Sequence, residues 1–219
     1  MSSLNHLLTL LRKDLTVEIR RSQEILVVFM FPLAVIIGLG FMVSTMYAGF
    51  LAYHLIWPLM LFEAVFLTTT IFMREVEKGT MNGIKLLPCS PVVVCIAKSI
   101  YAFIFTLSTS IEALILLVFF GRLHPPSIQV YYIVLLVSIN IALISTFSSV
   151  LTMYSEGKFI IIPFIITLLS IPSISLGAIG LQKILLNIAI DNELKTLITT
   201  TIITVLINTL LISLEIEEE

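Results

Sequence analysis

Glu63 and Glu112 each stand alone in a long apolar stretch. Glu63 is the sole charge between residues 25 and 73, and Glu112 the sole charge between 99 and 121. If those stretches lie in lipid, a charged acid at mid-depth costs about 2.5–3.5 kcal/mol on insertion scales, so such side chains turn toward a bundle interior, a cavity or each other. Two chemistries are open for them: contact with something that crosses the membrane, or a hydrogen-bonded packing role. Asn140, flanked by Ser138, Ser145, Ser148 and Ser149, reads instead as an adhesive between helices, because amides and hydroxyls bond across helix pairs in an apolar solvent. The two cysteines, Cys89 and Cys95, have the spacing of neither a zinc site nor a redox pair and are read as inert thiols. The chain contains no G-x-x-x-x-G-K-[ST], G-x-G-x-x-G or H-E-x-x-H pattern, so it carries no nucleotide-binding or zinc-protease signature of its own. No metal site is expected, and energy-driven work would need an ATPase from a partner.

The elements that hold these residues follow from composition. Of 219 residues, 58% are apolar and 12% charged, with a mean hydropathy of +1.12; a soluble domain runs about 45–50% apolar and about 25% charged. Charge-free runs cover residues 25–62, 123–155, 159–182 and 196–214. A spanning helix needs roughly 20 apolar residues, whereas barrel strands are about 10-residue alternating segments. The fold class is therefore all-α integral membrane, and soluble enzyme, nucleic-acid binder and disordered chain are excluded. Breaking the longest run at Tyr47-Ala48-Gly49 gives six spans, near 25–46, 50–72, 96–120, 128–153, 159–180 and 194–214. The domain plan is an amphipathic segment (1–24), a six-helix membrane domain (25–214) and an acidic tail (215–219). Nine of the twelve Lys and Arg fall before span one, between spans two and three, or between spans four and five. That side is read as cytoplasmic, with both termini inside.

Three segments outside the spans carry information. In residues 4–24, Leu4, Leu7, Leu8, Leu11, Leu15 and Ile19 recur at helical spacing among charges. This predicts an amphipathic elbow helix lying in the headgroup layer, either as a simple anchor or as a contact for a cytosolic partner. The loop at 73–95 contains a short helix that Thr80 can cap and Pro88 must end, with Met81, Ile84 and Leu87 on one face. It is either an ordinary basic loop or a helix inserted into a groove on an ATPase. In 172–193, Pro172, Gly177, Gly180, Lys183, Asn187, Asp191 and Glu193 interrupt the apolar pattern, predicting either a re-entrant segment buried in protein or a plain loop.

The order Glu75, Gly79, Thr80, then Leu86, Leu87, Pro88, Ser90, Pro91, then Lys98 opening the next span resembles permeases of the ABC-2 exporter class. Adding Lys13, Asp14, Leu15, Glu18, Arg20 and Glu24 before span one, with the length and span count, the chain is similar to the CcmB family, permeases of the haem exporter of cytochrome c maturation. The resemblance implies an inner-membrane permease for haem delivery that is not itself an enzyme. It implies a homodimer driven by a separate CcmA-like ABC ATPase, with a haem-handling membrane subunit and a haem chaperone nearby. Haem would be substrate rather than resident cofactor. Glu75, Gly79, Thr80, Met81, Gly83, Ile84, Leu87 and Pro88 are then the ATPase-coupling candidates, and outer re-entrant helices are expected at 172–193. His54 and His124, both read as lying toward the outer side, are candidate haem contacts because imidazole ligates haem iron; the alternative is surface or interface residues. His6 has no role beyond the anchor helix. An ABC-2 permease for a drug, lipid or polysaccharide, or a non-transporting scaffold in an assembly complex, remain the other readings.

Overall fold

The computed structural model describes residues 3–42, 52–120 and 125–217, and every element in them is helical. Helix α1 (Ser3–Ile19) is followed by α2 (Ser22–Met42), and the two are bent 76° from each other. Helix α3 is the span Tyr53–Glu77. It opens as a 3-10 turn (Tyr53–Leu55), continues as α-helix (Ile56–Thr68), passes through a π turn (Thr69–Met73) and closes with one α turn (Arg74–Glu77). A short α4 (Met81–Lys85) precedes α5 (Pro91–Phe120), α6 (Ile128–Thr152), α7 (Lys158–Leu185) and α8 (Asp191–Glu217). Helices α3 and α5 to α8 are long and apolar enough to cross a bilayer, and the bent α1–α2 pair makes up to six spans. The chain is thus a multi-pass, all-α membrane protein. The break proposed at Tyr47–Gly49 and residues Arg122 and His124 lie outside the described residues.

Helix α6 is the hub and packs on α3, α5, α7 and α8, while α1 and α2 lean on α5. Its small polar residues let helices approach closely. Thr106 Oγ1 donates to Ser138 O at 3.4 Å, Ser145 Oγ to Ala64 O at 3.3 Å, and Thr68 Oγ1 to Ser145 O at 3.3 Å. Asn140 Nδ2 donates to Thr201 Oγ1 at 2.7 Å while its Oδ1 accepts from Thr204 at 3.3 Å, tying α6 to α8. With no hydrophobic drive between helices in lipid, such bonds and close packing hold the bundle.

Helix ends follow local chemistry. Pro91 occupies the first position of α5, where its missing N–H is not needed. Gly157, at φ +76°, turns the chain from α6 into α7.

The reading of 172–193 as a re-entrant or loop segment is corrected. Helix α7 runs unbroken past Pro172 to Leu185, and only 186–190 lie between it and α8. A proline removes one backbone donor, which a span tolerates when neighbours and hydroxyls compensate. The two glycines are contact points rather than breaks. A Cβ at Gly177 would come within 2.8 Å of Trp57 and 2.9 Å of Val137, and one at Gly180 within 2.6 Å of Ile133. The true stop is Asn187 at φ +56°, with Ile188 N donating to Lys183 O at 2.8 Å and Asn187 N to Ile184 O at 3.0 Å. That is a left-handed helix cap with asparagine in the place glycine commonly takes.

Candidate functional site

Where the Lys- and Arg-rich segments meet, α1, the end of α3, the 78–90 loop and the start of α5 enclose a groove of about 510 Å³. The loop is built by the last turn of α3. Gly79 adopts φ +66°, a left-handed conformation that side chains disfavour. Gly79 N donates to Val76 O at 3.0 Å and Thr80 N to Glu75 O at 2.9 Å. This paired arrangement closes a helix C-terminus, and it returns Thr80 over Glu75, whose carboxylate accepts from Thr80 Oγ1. The spacing E-x-x-x-G-T thus has a geometric cause.

Glu75 is also bound by Lys13 Nζ at 2.7 Å and Lys98 Nζ at 3.5 Å. Lys98, 4% exposed, lies 3.0 Å from Asp14 and over the Phe72 ring at 5.7 Å. Arg74 donates to Glu18 Oε2 at 2.6 Å and to Glu24, and Arg21 reaches Glu24 at 2.8 Å. Tyr101 lines the same groove beside Glu18 and Thr70. Lys158, opening α7, bonds Glu77 at 2.6 Å. Burial pulls the Lys13 ammonium down, but Asp14 and Glu75 outweigh it and hold the group above the ordinary lysine value. The two sequence patterns, one before span one and one after span two, therefore meet in one electrostatic latch.

Two elements are oriented by partners distant in sequence. The leucine stripe of α1 is split. Leu7, Leu11 and Leu15 pack on the core, Leu4, Leu8 and Ile19 stay exposed, and the polar edge carrying Asp14 and Glu18 is the buried one. Local periodicity could not report this, because the charges that accept that edge lie on α3 and α5. The apolar face of α4 is likewise turned inward. Met81 and Ile84 are buried and Leu87 is partly so, whereas Asn82, Gly83, Pro88 and Leu86 (84% exposed) are presented outward. This apolar stripe seats the five-residue element on the bundle. Asn82 and Leu86 were not among the coupling candidates; the signal that finds them is the inward pull of the Met81–Ile84–Leu87 stripe.

Deeper in the bundle, Glu63 is 3% exposed, and its Oε2 accepts from Thr109 Oγ1 of α5. Its other oxygen has no hydrogen-bond partner among the described residues, and Glu63 lines a small cavity together with Val28, Pro32, Ser110 and Ala113. Glu112, half-buried, is within electrostatic reach one turn further along α5. Asn140 is engaged by α8 as described. His54 is half-buried and accepts from the Trp57 indole N–H at 3.3 Å; His124 is outside the described residues. Among the described residues no group of three or more His, Cys, Asp and Glu could hold a metal ion. Cys95 is buried and Cys89 half-buried, both as free thiols.

None of the curated proteins matches the chain. A family model, described as CcmB protein, matches residues 5–218. That span contains the latch, the bundle hub and every described helix from α2 to α8 in full. With nearly its whole length matched, the chain belongs to the CcmB family, whose members are membrane components of the haem exporter in cytochrome c maturation.

Proposed function

We propose that this chain is the permease subunit of an ABC exporter that serves haem delivery for c-type cytochromes, working as a homodimer driven by two copies of a separate ABC ATPase. It sits in the inner membrane with the latch and both termini on the cytoplasmic side, as nine of twelve basic residues favour. A haem-handling membrane subunit and a haem chaperone complete the assembly, and haem is cargo rather than cofactor. The observation that carries the reading is the latch. It connects the loop between spans two and three to α1, α2, α3 and α5 through paired charges, so a push on the loop reaches several spans at once.

The mechanism is mechanical. Closure of the ATPase displaces α4 through its outward residues Asn82, Gly83 and Leu86. Glu75 and Thr80 pass that displacement to α1 and α5 through Lys13, Lys98 and Asp14, while Arg74 passes it to Glu18 and Glu24. Such a step requires the ATPase to bind two arrangements of the latch with different affinity. Asn140 ties α6 to α8, Glu63 and Glu112 are packing residues whose charge the bundle can dispense with, and His54 and His124 are candidate contacts for the cargo.

The test is co-purification. Gly83→Asp and Leu86→Asp place charge on the outward face of α4 and should release the ATPase while the chain still accumulates in the membrane. Wild-type recovery of the ATPase with both variants would overturn the docking face.

A further inference from the structure

We infer that Ser149 of α6 is a positioning residue: its hydroxyl holds the π turn of α3 and thereby sets the direction in which Arg74, Glu75 and Glu77 leave the span. The π turn Thr69–Met73 stands between the α-helical body of α3 and its final turn Arg74–Glu77. A π turn inserts one residue into an α-helix. At 3.6 residues per turn, that one residue changes the direction of everything after it by about 100°. All three ion-pairing side chains of the last turn lie after it. If this segment relaxed to α-helix with no residue removed, Arg74 and Glu75 would swing away from Glu18, Lys13 and Lys98, and Glu77 from Lys158.

Such a turn leaves the regular four-residue ladder and needs an acceptor from outside. Phe72 N–H finds one in Ser149 Oγ at 3.0 Å, 77 residues away in sequence. The site is enclosed, with Thr70, Ile71, Phe72 and Met73 all buried, so water cannot replace the serine. One turn up α6, Ser145 bonds Ala64 O and receives Thr68 Oγ1, which pins the body of α3 independently. The two serines divide the work: Ser145 fixes where the span stands, and Ser149 fixes how its last turn points. This inference concerns the geometry of the latch and stands whatever docks on it.

The test uses the full chain in native membranes, with Cys89 and Cys95 replaced by alanine. One reporter pair is Glu77→Cys with Lys158→Cys, after the π turn. The other is Lys183→Cys with Glu193→Cys, at the α7–α8 turn, where the native side chains are 2.6 Å apart. Both are bridged by the same short thiol cross-linker. Ser149→Ala should abolish the 77–158 cross-link and leave 183–193 intact, and Ser149→Thr, which keeps the hydroxyl, should restore the first. Deleting Thr69 removes the inserted residue and lets α3 run as plain α-helix with its last turn in place. In that background Ser149→Ala should be harmless, both to the cross-link and to accumulation of the chain. An unchanged 77–158 yield in Ser149→Ala, parallel loss at both pairs, or failure of the deletion to rescue would each overturn the assignment.

Discussion

Lys98 and Asp14 lie 3.0 Å apart with side chains 4% and 8% exposed, although one belongs to the second turn of a membrane span and the other to an amphipathic helix outside the bundle. Two charges withdrawn from water this far persist only when each is paired and bonded further. Lys98 has Glu75 as a second acid, and Asp14 has Lys13 at 3.3 Å. The pair therefore makes α1 an integral part of the bundle rather than a detachable anchor.

Breaking that pair from one side should be worse than removing it. Lys98→Met leaves Asp14 buried against the exposed Lys13 alone and is expected to cost about 3–5 kcal/mol. Asp14→Asn with Lys98→Met removes both charges and should recover a large part of the loss. Thermal unfolding of the detergent-purified chain gives the cycle, and strict additivity would contradict the pairing.

Gly79→Ala forces a side chain into φ +66°, at a cost of roughly 1–2 kcal/mol. No neighbouring atom lies within 4 Å of the added carbon, so the effect is conformational and not steric. Gly79→Asn, which tolerates that conformation better, should be milder. Melting temperatures of the two variants decide it, and asparagine proving worse than alanine would refute the backbone explanation.

Gly177→Ala and Gly180→Ala separate rigid from yielding contacts. At Gly177 the added carbon meets the Trp57 ring and Val137; at Gly180 it meets the terminal methyl of Ile133. The indole is held by His54 and cannot step aside, whereas the isoleucine tip can rotate. Gly177→Ala should cost about 1–3 kcal/mol and Gly180→Ala less. Equal losses in membrane stability would show that both sites yield alike.

Glu63 is enclosed, and the Thr109 hydroxyl donates to its carboxylate. When Glu63 is replaced by Leu, the Thr109 hydroxyl still has Phe105 O and Thr106 O at 3.3 Å. A packing role thus predicts that Glu63→Gln and Glu63→Leu both keep membrane abundance and cytochrome c maturation. Normal abundance with lost maturation in both variants would instead make Glu63 a cargo contact.

The spans were legible because charge-free length is a direct statement about solvent, whereas Thr80, which reads from sequence as the cap of α4, turns its hydroxyl back to Glu75 and makes no side-chain cap. The orientation of α1 was not legible. Glu18 is buried by Arg74, 56 residues away, and local periodicity reports nothing of a partner that distant. The inward face of α4 was hidden for the same reason: an apolar stripe shows that something is covered, not by what. Pro172 and Gly177 read as breaks because sequence weighs a residue's own conformational cost, whereas the helix is kept by what Trp57 and Val137 place beside it. The π turn has no sequence signature beyond three successive threonines, Thr68 to Thr70.

The central claim, that paired charges transmit motion between α1 and the loop after span two, is tested most directly by exchanging one pair. Glu18 and Arg74 are 2.6 Å apart on helices that meet only in the folded chain. Cytochrome c maturation is measured in cells alongside membrane abundance for Glu18→Arg, Arg74→Glu and the two combined. The latch account predicts that each single exchange abolishes maturation and that the combination restores most of it. Maturation surviving in both single variants at normal abundance, or a combination no better than either, would contradict it.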